Sequence, residues 1–343
     1  MKVAHIMAGA PQGGAELFFE RLVTAQHAAG DPVLALIRGE AGREDRLRSA
    51  GVTPQCLPFG GAFDLQTRFG LRRALREFAP RVAVAWMNRA ARFAPKGDWV
   101  LAGRLGGYYD LRYYRRCDHL VGNTRTLAQW IVAQGWPAAQ THYLPNFSPD
   151  LDQAVPDRLG VPPGRPLVLA LGRLHTNKAF DVLIRALRRL PGVHAAIVGE
   201  GPERAALEAL ARSEGVADRL HMPGWRNDTA ALLAGAALLV CPSRHEPLGN
   251  VVAEAWSARR PVVAAAADGP KELITPGEDG LLVPVEDAEA LATSVGLVLG
   301  NAALAGRLAV AGRARWEAEF APGPVLGRWR HFLQTVEKPA CAE

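Results

Sequence analysis

The segment Glu246-Pro247-Leu248-Gly249-Asn250-Val251-Val252-Ala253-Glu254 carries the densest chemical signal in the sequence. Gly249 permits an unusual backbone angle just before a helix expected to start near Asn250. The free amides of Leu248 to Val251 would then form a nest for an anion. Glu254 lies about one turn inside that helix, and its Cβ tilts back toward the N-terminus. At a rise of ~1.5 Å per residue, its carboxylate reaches a group ~6–8 Å beyond the helix start. A ribose lies at that distance from a diphosphate held on the amides, while Glu246 would face the other end of the same ligand. Cations should accompany a diphosphate. The run Gly172-Arg173-Leu174-His175-Thr176-Asn177-Lys178 places Arg173 and Lys178 around a second helix start. Positive charge there opposes the macrodipole unless an anion compensates. Arg173 can fork two phosphate oxygens, and Lys178 acts as a point charge.

Two further glycine-rich loops are less specific. In Gly9-Ala10-Pro11-Gln12-Gly13-Gly14-Ala15-Glu16, Pro11 stands where a dinucleotide fingerprint needs its second glycine. What remains is a glycine pair at a helix start, either a phosphate contact through Gly14 or a tight turn only. In Val198-Gly199-Glu200-Gly201-Pro202-Glu203-Arg204, Arg204 replaces the third glycine. Gly199 and Gly201 would let a base or ribose approach the backbone. Both fingerprints are broken, which argues against a nicotinamide oxidoreductase.

These loops need a scaffold, and the pattern supplies one. The 343 residues suit two domains, and 49% hydrophobic with 22% charged residues excludes a largely disordered chain. Strand candidates at 2–8, 32–37, 82–86, 99–105 and 118–121 alternate with helical periodicity at 14–29, 65–78 and 124–134. A proline-rich stretch follows. Then come strands at 167–171, 194–198, 219–221, 237–241 and 261–265, with helices at 178–190, 203–214, 228–234 and 250–258. Two runs of βα units imply an α/β protein of two Rossmann-like, doubly wound domains facing a cleft. The expected boundaries are 1–147, a linker at 148–165, 166–320, and a terminal helix at 321–343 returning to the first domain. The start reads as a buried strand, not a secretory signal. No window has ~18 uninterrupted apolar residues, so a spanning helix is not expected. Four scattered cysteines fit a reducing cytosol, and no His/Cys pattern suggests a metal; Asp150-Leu151-Asp152 reads as solvated surface.

Residues 1–147 carry 19 Lys+Arg against 11 Asp+Glu, and the remainder 21 against 23. A basic first half of net +8 beside a second half of −2 suggests an anionic partner on the first half. Arg68, Arg72, Arg73, Arg76 and Arg81, interleaved with Phe69, Leu71, Leu75 and Phe78, would make a helix able to lie on an acidic bilayer, or the outer face of an ordinary packing helix. Nucleic acid is not an expected partner, since no zinc-finger or RNP-like signature is present.

Taken in order, Gly13-Gly14-Ala15-Glu16, Gly172-Arg173-Leu174 with Lys178, Val198 to Pro202, Pro242 to Asn250, Glu254-Ala255 and Pro261-Val262-Val263 resemble glycosyltransferase family 4 over nearly the whole chain, most strongly 166–290. The resemblance implies a GT-B fold and retaining transfer from a nucleotide-diphosphate sugar, which is a substrate; no cofactor or metal is expected. Carried over by position, Arg173 and Lys178 would neutralise the diphosphate and Glu246 would hold donor-sugar hydroxyls. Glu254 would hold the ribose. The Gly14 amide would reach the phosphate, with Leu248, Gly249, Asn250 and Val251 beside it. Backbone near Gly199 and Gly201, with Trp225 and Arg226, would take the base, expected to be uracil. The Glu246-to-Asn250 form is similar to that of envelope-polysaccharide and lipopolysaccharide transferases, implying a saccharide or lipid-linked acceptor, contact with an anionic membrane, and a cytoplasmic location on its inner face. One departure stands out: Gly106 follows the strand at 99–105 where the family commonly has a histidine. Asn88, Arg104, Gly107 and Tyr108 are the candidates for that side of the site and the acceptor. The competing readings are a nucleotide-sugar epimerase and a non-catalytic nucleotide-sugar-binding or assembly protein.

Overall fold

The structure is a computed structural model in which residues 1–11, 13–61 and 63–339 are described. It divides into two compact units: residues 1–146 with 322 onward, and Phe147–Ala321.

Unit 1 runs β1 (Val3–Met7), α1 (Gly14–Ala28), β2 (Val33–Arg38), α2 (Ala41–Ser49), β3 (Gln55–Leu57), α3 (Leu65–Phe78), β4 (Val82–Trp86), α4 (Met87–Phe93), β5 (Val100–Leu105), β6 (His119–Gly122), α5 (Arg125–Ala133) and β7 (Thr141–Tyr143). The strands form a parallel sheet in the order β3-β2-β1-β4-β5-β6-β7, with Val3 opposite both Val33 and Val82. Helices cover both faces of such a sheet, so its central strands are apolar on both sides; all five residues of β1 and of β4 are buried. The one polar member of β1, His5, is satisfied inside. Its Nε2 meets Gln26 Oε1 at 2.8 Å, and Trp86 Nε1 donates to its Nδ1 at 3.1 Å.

Unit 2 runs β8 (Leu167–Leu171), α6 (Phe180–Arg188), β9 (His194–Val198), α7 (Arg204–Ser213), β10 (Leu220–His221), α8 (Thr229–Gly235), β11 (Leu238–Cys241), α9 (Asn250–Ser257), β12 (Val262–Ala265), α10 (Asp268–Leu273), β13 (Leu281–Val283), α11 (Ala288–Gly300) and α12 (Ala302–Arg315). Its parallel sheet has the order β10-β9-β8-β11-β12-β13. α13 (Pro322–Thr335) belongs to unit 1. There Trp329 stacks on Trp86, with centroids 6.5 Å apart and planes 13° apart.

The differences from the sequence reading have local causes. The proline-rich stretch at 148–165 packs within unit 2: Asp157 N donates to Ala231 O at 2.9 Å. Asp150 is exposed and Asp152 half-buried, in keeping with the surface reading, and both pair with arginines, Arg313 and Arg259, at 2.7 Å each. The terminal helix expected from 321 starts at Pro322, in the first position, where its missing N–H costs nothing, and it ends at Thr335. Arg81 leaves the basic patch. Its guanidinium donates to Leu333 O, Gln334 O and Val336 O at 2.8–3.1 Å, closing the end of α13. Among the described residues no single helix is long and apolar enough to cross a membrane.

Candidate functional site

In a doubly wound sheet, ligands bind beyond the carboxyl ends of the strands where the order reverses. In unit 2 that reversal lies between β8 and β11, and the loops leaving these strands hold Arg173, Lys178 and Glu246. The Lys178 ammonium donates to Glu246 Oε2. Burial works against the ammonium, yet the Glu246 charge and hydrogen bond outweigh it, and the Lys178 pKa is raised from its ordinary value. Glu246 is otherwise held from its own loop: Gly249 N donates to Oε1 at 3.2 Å, and Ser243 Oγ lies 3.5 Å from Oε2. The Cys241 thiol, buried below, is pushed up to about 11 by burial and then by the Glu246 charge. Arg173 differs: it is exposed and makes no ion pair or hydrogen bond through its side chain among the described residues. The two cations that the sequence grouped together are therefore in different states, one engaged by Glu246 and one uncommitted.

Gly249 has φ 79° and immediately precedes α9, the left-handed geometry expected of it. Gly249, in the N-cap position of α9, brings no capping side chain, and the amides of Asn250 and Val251 lie in the first turn. Leu248 is half-buried beside them. Glu254 is half-buried one turn further along the helix.

Gly199 and Gly201 are required by the fold itself, quite apart from any ligand. A Cβ at Gly199 would collide with Gly172 O, and one at Gly201 with Leu174 O. Gly172 N and Leu174 N donate to Val198 O and Glu200 O at 3.1 and 2.9 Å. These glycines let the β8 and β9 loops continue as a ladder, which places Arg173 on its outer side. Trp225 is 56% exposed beyond β10, close to this loop because Gly224 abuts the Glu200 carboxylate. Arg226 is paired with Asp157 and Asp228, so its charge is already met within the protein.

In unit 1 the order reverses between β1 and β4. Gly14 is exposed in the first turn of α1, but the loop before it closes on the protein's own carboxylate. Glu16 Oε1 accepts from Ala10 N at 2.8 Å, and a Cβ at Gly9 or Gly13 would collide with the same carboxylate. Among the acceptor candidates, Arg104 is a core residue at 1% exposure. Its guanidinium lies 4.5 Å from the Trp86 ring centroid and 4.9 Å from that of Phe18, and it donates to Asn146. Burial lowers its pKa to about 9. Asn88, in α4, has a buried Oδ1 with no hydrogen-bond partner among the described residues. Tyr108 packs edge-on against Trp130, with centroids 5.3 Å apart. Gly107 and Gly106 lie instead under Tyr109, whose hydroxyl is 3.9 Å from a Cβ placed at either one.

Sequence reasoning missed the roles of Arg244 and Gly269. Arg244 forks Asp181 at 2.7 and 2.8 Å and donates to Thr176 O at 2.8 Å, tying the β8 loop to the β11 loop. Gly269 N donates to Glu246 O at 2.7 Å, and a Cβ there would meet Leu248 and Glu246 carbonyls. The Asp-Gly-Pro run gave a turn signal, but only the fold reveals what lies against it. Met87, at φ 61°, is a second unforeseen feature, a bulky residue in left-handed geometry directly after β4.

Comparison with known proteins completes the description. Residues 165–301 match the family model for glycosyl transferases group 1. The lipopolysaccharide core biosynthesis glycosyltransferase LpsE of Rhizobium meliloti (strain 1021) is 34% identical over 97% of this chain and 99% of its own. LpsD of the same organism is 35% identical over 93% of this chain and 94% of its own. Among solved structures, Anabaena Alr3699/HepE in complex with UDP superposes with a TM-score of 0.86 at 20% identity, covering 98% of this chain and 100% of that one. WaaG, a glycosyltransferase involved in lipopolysaccharide biosynthesis, gives a TM-score of 0.73 at 20% identity, covering 98% of this chain and 100% of that one. The fold is GT-B, and the chain belongs to the group 1 glycosyl transferases. It is a glycosyltransferase.

Proposed function

We propose that the protein is a retaining, metal-independent transferase that moves a sugar from a nucleotide-diphosphate sugar, a UDP-sugar, to a saccharide or lipid-linked acceptor of the cell envelope, within lipopolysaccharide or related polysaccharide synthesis. The observation that carries this reading is the pairing, at the unit 2 switch point, of an uncommitted Arg173 with an uncapped α9 behind Gly249. Arg173 and the amides oppose the charge that grows on the diphosphate as the bond to the sugar breaks. The acceptor oxygen forms the new bond on the same face, and its proton passes to the departing phosphate oxygen, so no separate protein base is required. Lys178 holds Glu246 in place for the donor-sugar hydroxyls, and Glu254 takes the ribose. With Asp150 and Asp152 neutralised by arginines, the only Asp-x-Asp in the sequence is a poor metal ligand. The likeness to LpsE and LpsD supports the core-saccharide acceptor, and the UDP complex of HepE supports the donor.

The partner of the basic half is, on this reading, an anionic membrane surface on the cytoplasmic side. Phe63, Leu65 and Phe69 are 95%, 61% and 65% exposed, and Arg72, Arg73 and Arg76 are exposed on the same helix. Apolar insertion flanked by arginines suits an acidic bilayer. Each arginine near such a surface contributes ~1 kcal/mol, so neutralising all three is expected to weaken binding to phosphatidylglycerol vesicles about 100-fold. Binding unchanged by the substitutions removes the membrane from the proposal. A thermal-shift screen of UDP-, GDP- and ADP-sugars, followed by product analysis in excess EDTA, tests the rest. Stabilisation by UDP-sugars with activity surviving EDTA is expected. Stabilisation by another nucleotide alone, or complete loss in EDTA, contradicts it.

A further inference from the structure

The β1–α1 loop of unit 1 would be expected to offer amides to an anion, yet it encloses one of its own. Glu16 is 6% exposed. Oε1 is used by the Ala10 amide; Oε2 packs on Gly13 and has no hydrogen-bond partner or cation among the described residues. Its charge is tolerated at the first turn of α1, where the macrodipole favours an anion. A second phosphate-sized anion would be repelled by it. Across from this loop, at the carboxyl end of β5, Gly106 and Gly107 present no side chain. A Cβ added at Gly106 would meet only Ala15 Cβ at 3.8 Å and the Tyr109 hydroxyl at 3.9 Å. That hydroxyl is half-buried and unpartnered among the described residues. Burial first, and then the Glu16 charge, raise its pKa, so it stays a phenol and a donor.

We infer that Glu16 and Tyr109 form a hydroxyl-reading subsite for a pyranose. The carboxylate accepts from one sugar hydroxyl and the phenol donates to a neighbouring oxygen, over a floor of Gly13, Gly106 and Gly107. A carboxylate and a phenol with one free position each, 6% exposed and half-buried respectively, match the alternating donor and acceptor edge of a sugar ring better than they match a phosphate or a flat base. This subsite rests on the glycosyl-transfer reading and assigns it a saccharide contact within unit 1.

The test uses the full chain and a set of methyl glycosides of gluco, galacto and manno configuration, with binding followed by saturation-transfer NMR and UDP binding measured on the same samples. At least one glycoside is expected to bind the wild type. It should bind Glu16→Gln and Tyr109→Phe about tenfold more weakly or worse, the size of a lost hydrogen bond to a charged or buried polar group, with UDP affinity unchanged. Glu16→Gln retains an oxygen for Ala10, so a role limited to holding the loop would leave glycoside binding intact. Glycosides that bind both variants as well as the wild type, or bind none of the three proteins while UDP binds all, overturn the subsite. If the wild type binds neither UDP nor any sugar nucleotide, the failure lies in the proposed function instead.

Discussion

The two glycine-rich loops at the sheet switch points solve the same problem with opposite charge. In unit 2 the loop carboxylate, Glu246, is met by Lys178, and the neighbouring Arg173 is left as a net positive group. In unit 1 the loop carboxylate, Glu16, is met among the described residues only by the Ala10 amide; Arg43 donates to Ala10 O and pairs with Glu20, and Arg104 is folded into an aromatic sandwich. On the proposed reading, the first surface is suited to a diphosphate and the second to neutral hydroxyls. Loop glycines set where backbone can go; the carboxylate beside them, and its partner, set what the loop will hold.

The largest effect should come from removing the uncommitted cation. Arg173→Ala is expected to lower turnover about 100- to 1000-fold, the range for losing one group that stabilises transition-state charge, with the melting temperature unchanged. A loss below fivefold would mean that the unit 2 loop holds its phosphate without Arg173. Next is acid stability: His194 and His221 of unit 2 are also lowered by burial, but the two histidines lowered as far as about 4 are both in unit 1. His5 in unit 1 is lowered from 6.5 to about 4 by burial, opposed by its Gln26 hydrogen bond and assisted by Arg104; His142 is lowered to about 4 by burial and by His119. A folded pKa below the unfolded one means that the unfolded state binds more protons between these values. Unit 1 should therefore lose stability as pH falls from 6.5 toward 4, by up to ~1.4 kcal/mol per pH unit for each histidine. Hydrogen exchange across that range should show β1 opening before β8, and a His5→Gln variant should flatten the slope. If β8 opens first, the buried imidazoles are not the weak point.

How far the sequence disclosed these features depended on distance along the chain. Gly249 before Asn250, with Glu254 one turn on, is a local pattern, and its geometry is the expected one because a left-handed residue and a helix start are decided within a few positions. The strands with continuous apolar runs were legible for the same reason. β3 and β7, of three residues each, and the polar α2 carry too little periodicity to be read. The Lys178–Glu246 pair spans 68 positions, and only the adjacency of β8 and β11 brings it about. Gly199 and Gly201 also admit the neighbouring loop backbone, a requirement the sequence does not show, since nothing in it distinguishes a glycine that admits a ligand from one that admits a neighbouring strand. Tyr108 and Tyr109 look equivalent in the sequence, and only the fold separates them, by packing Tyr108 on Trp130.

Smaller effects sharpen the contrast. Glu246→Gln leaves the Lys178 ammonium largely buried beside a neutral amide and is expected to destabilise unit 2 by about 2–3 kcal/mol in urea unfolding; Lys178→Met with Glu246→Leu should recover much of that. An equal loss in the double variant would show that Glu246 acts through Gly249 rather than through Lys178. Gly249→Ala forces a side chain into left-handed geometry, 3.2 Å from Leu273 Cδ1, and should cost about 1–2 kcal/mol. Gly13→Ala, where the backbone is extended, should cost less and act mainly by shifting the Glu16 carboxylate.

The most direct test of the unit 2 assignment is a calorimetric titration of the wild type and Arg173→Ala with UDP and with uridine. The wild type should bind UDP far more tightly than uridine, and the substitution should remove most of that difference while leaving uridine affinity unchanged. UDP and uridine binding the wild type equally, or a preference for UDP that survives Arg173→Ala intact, would contradict the claim that this loop is built to hold a diphosphate.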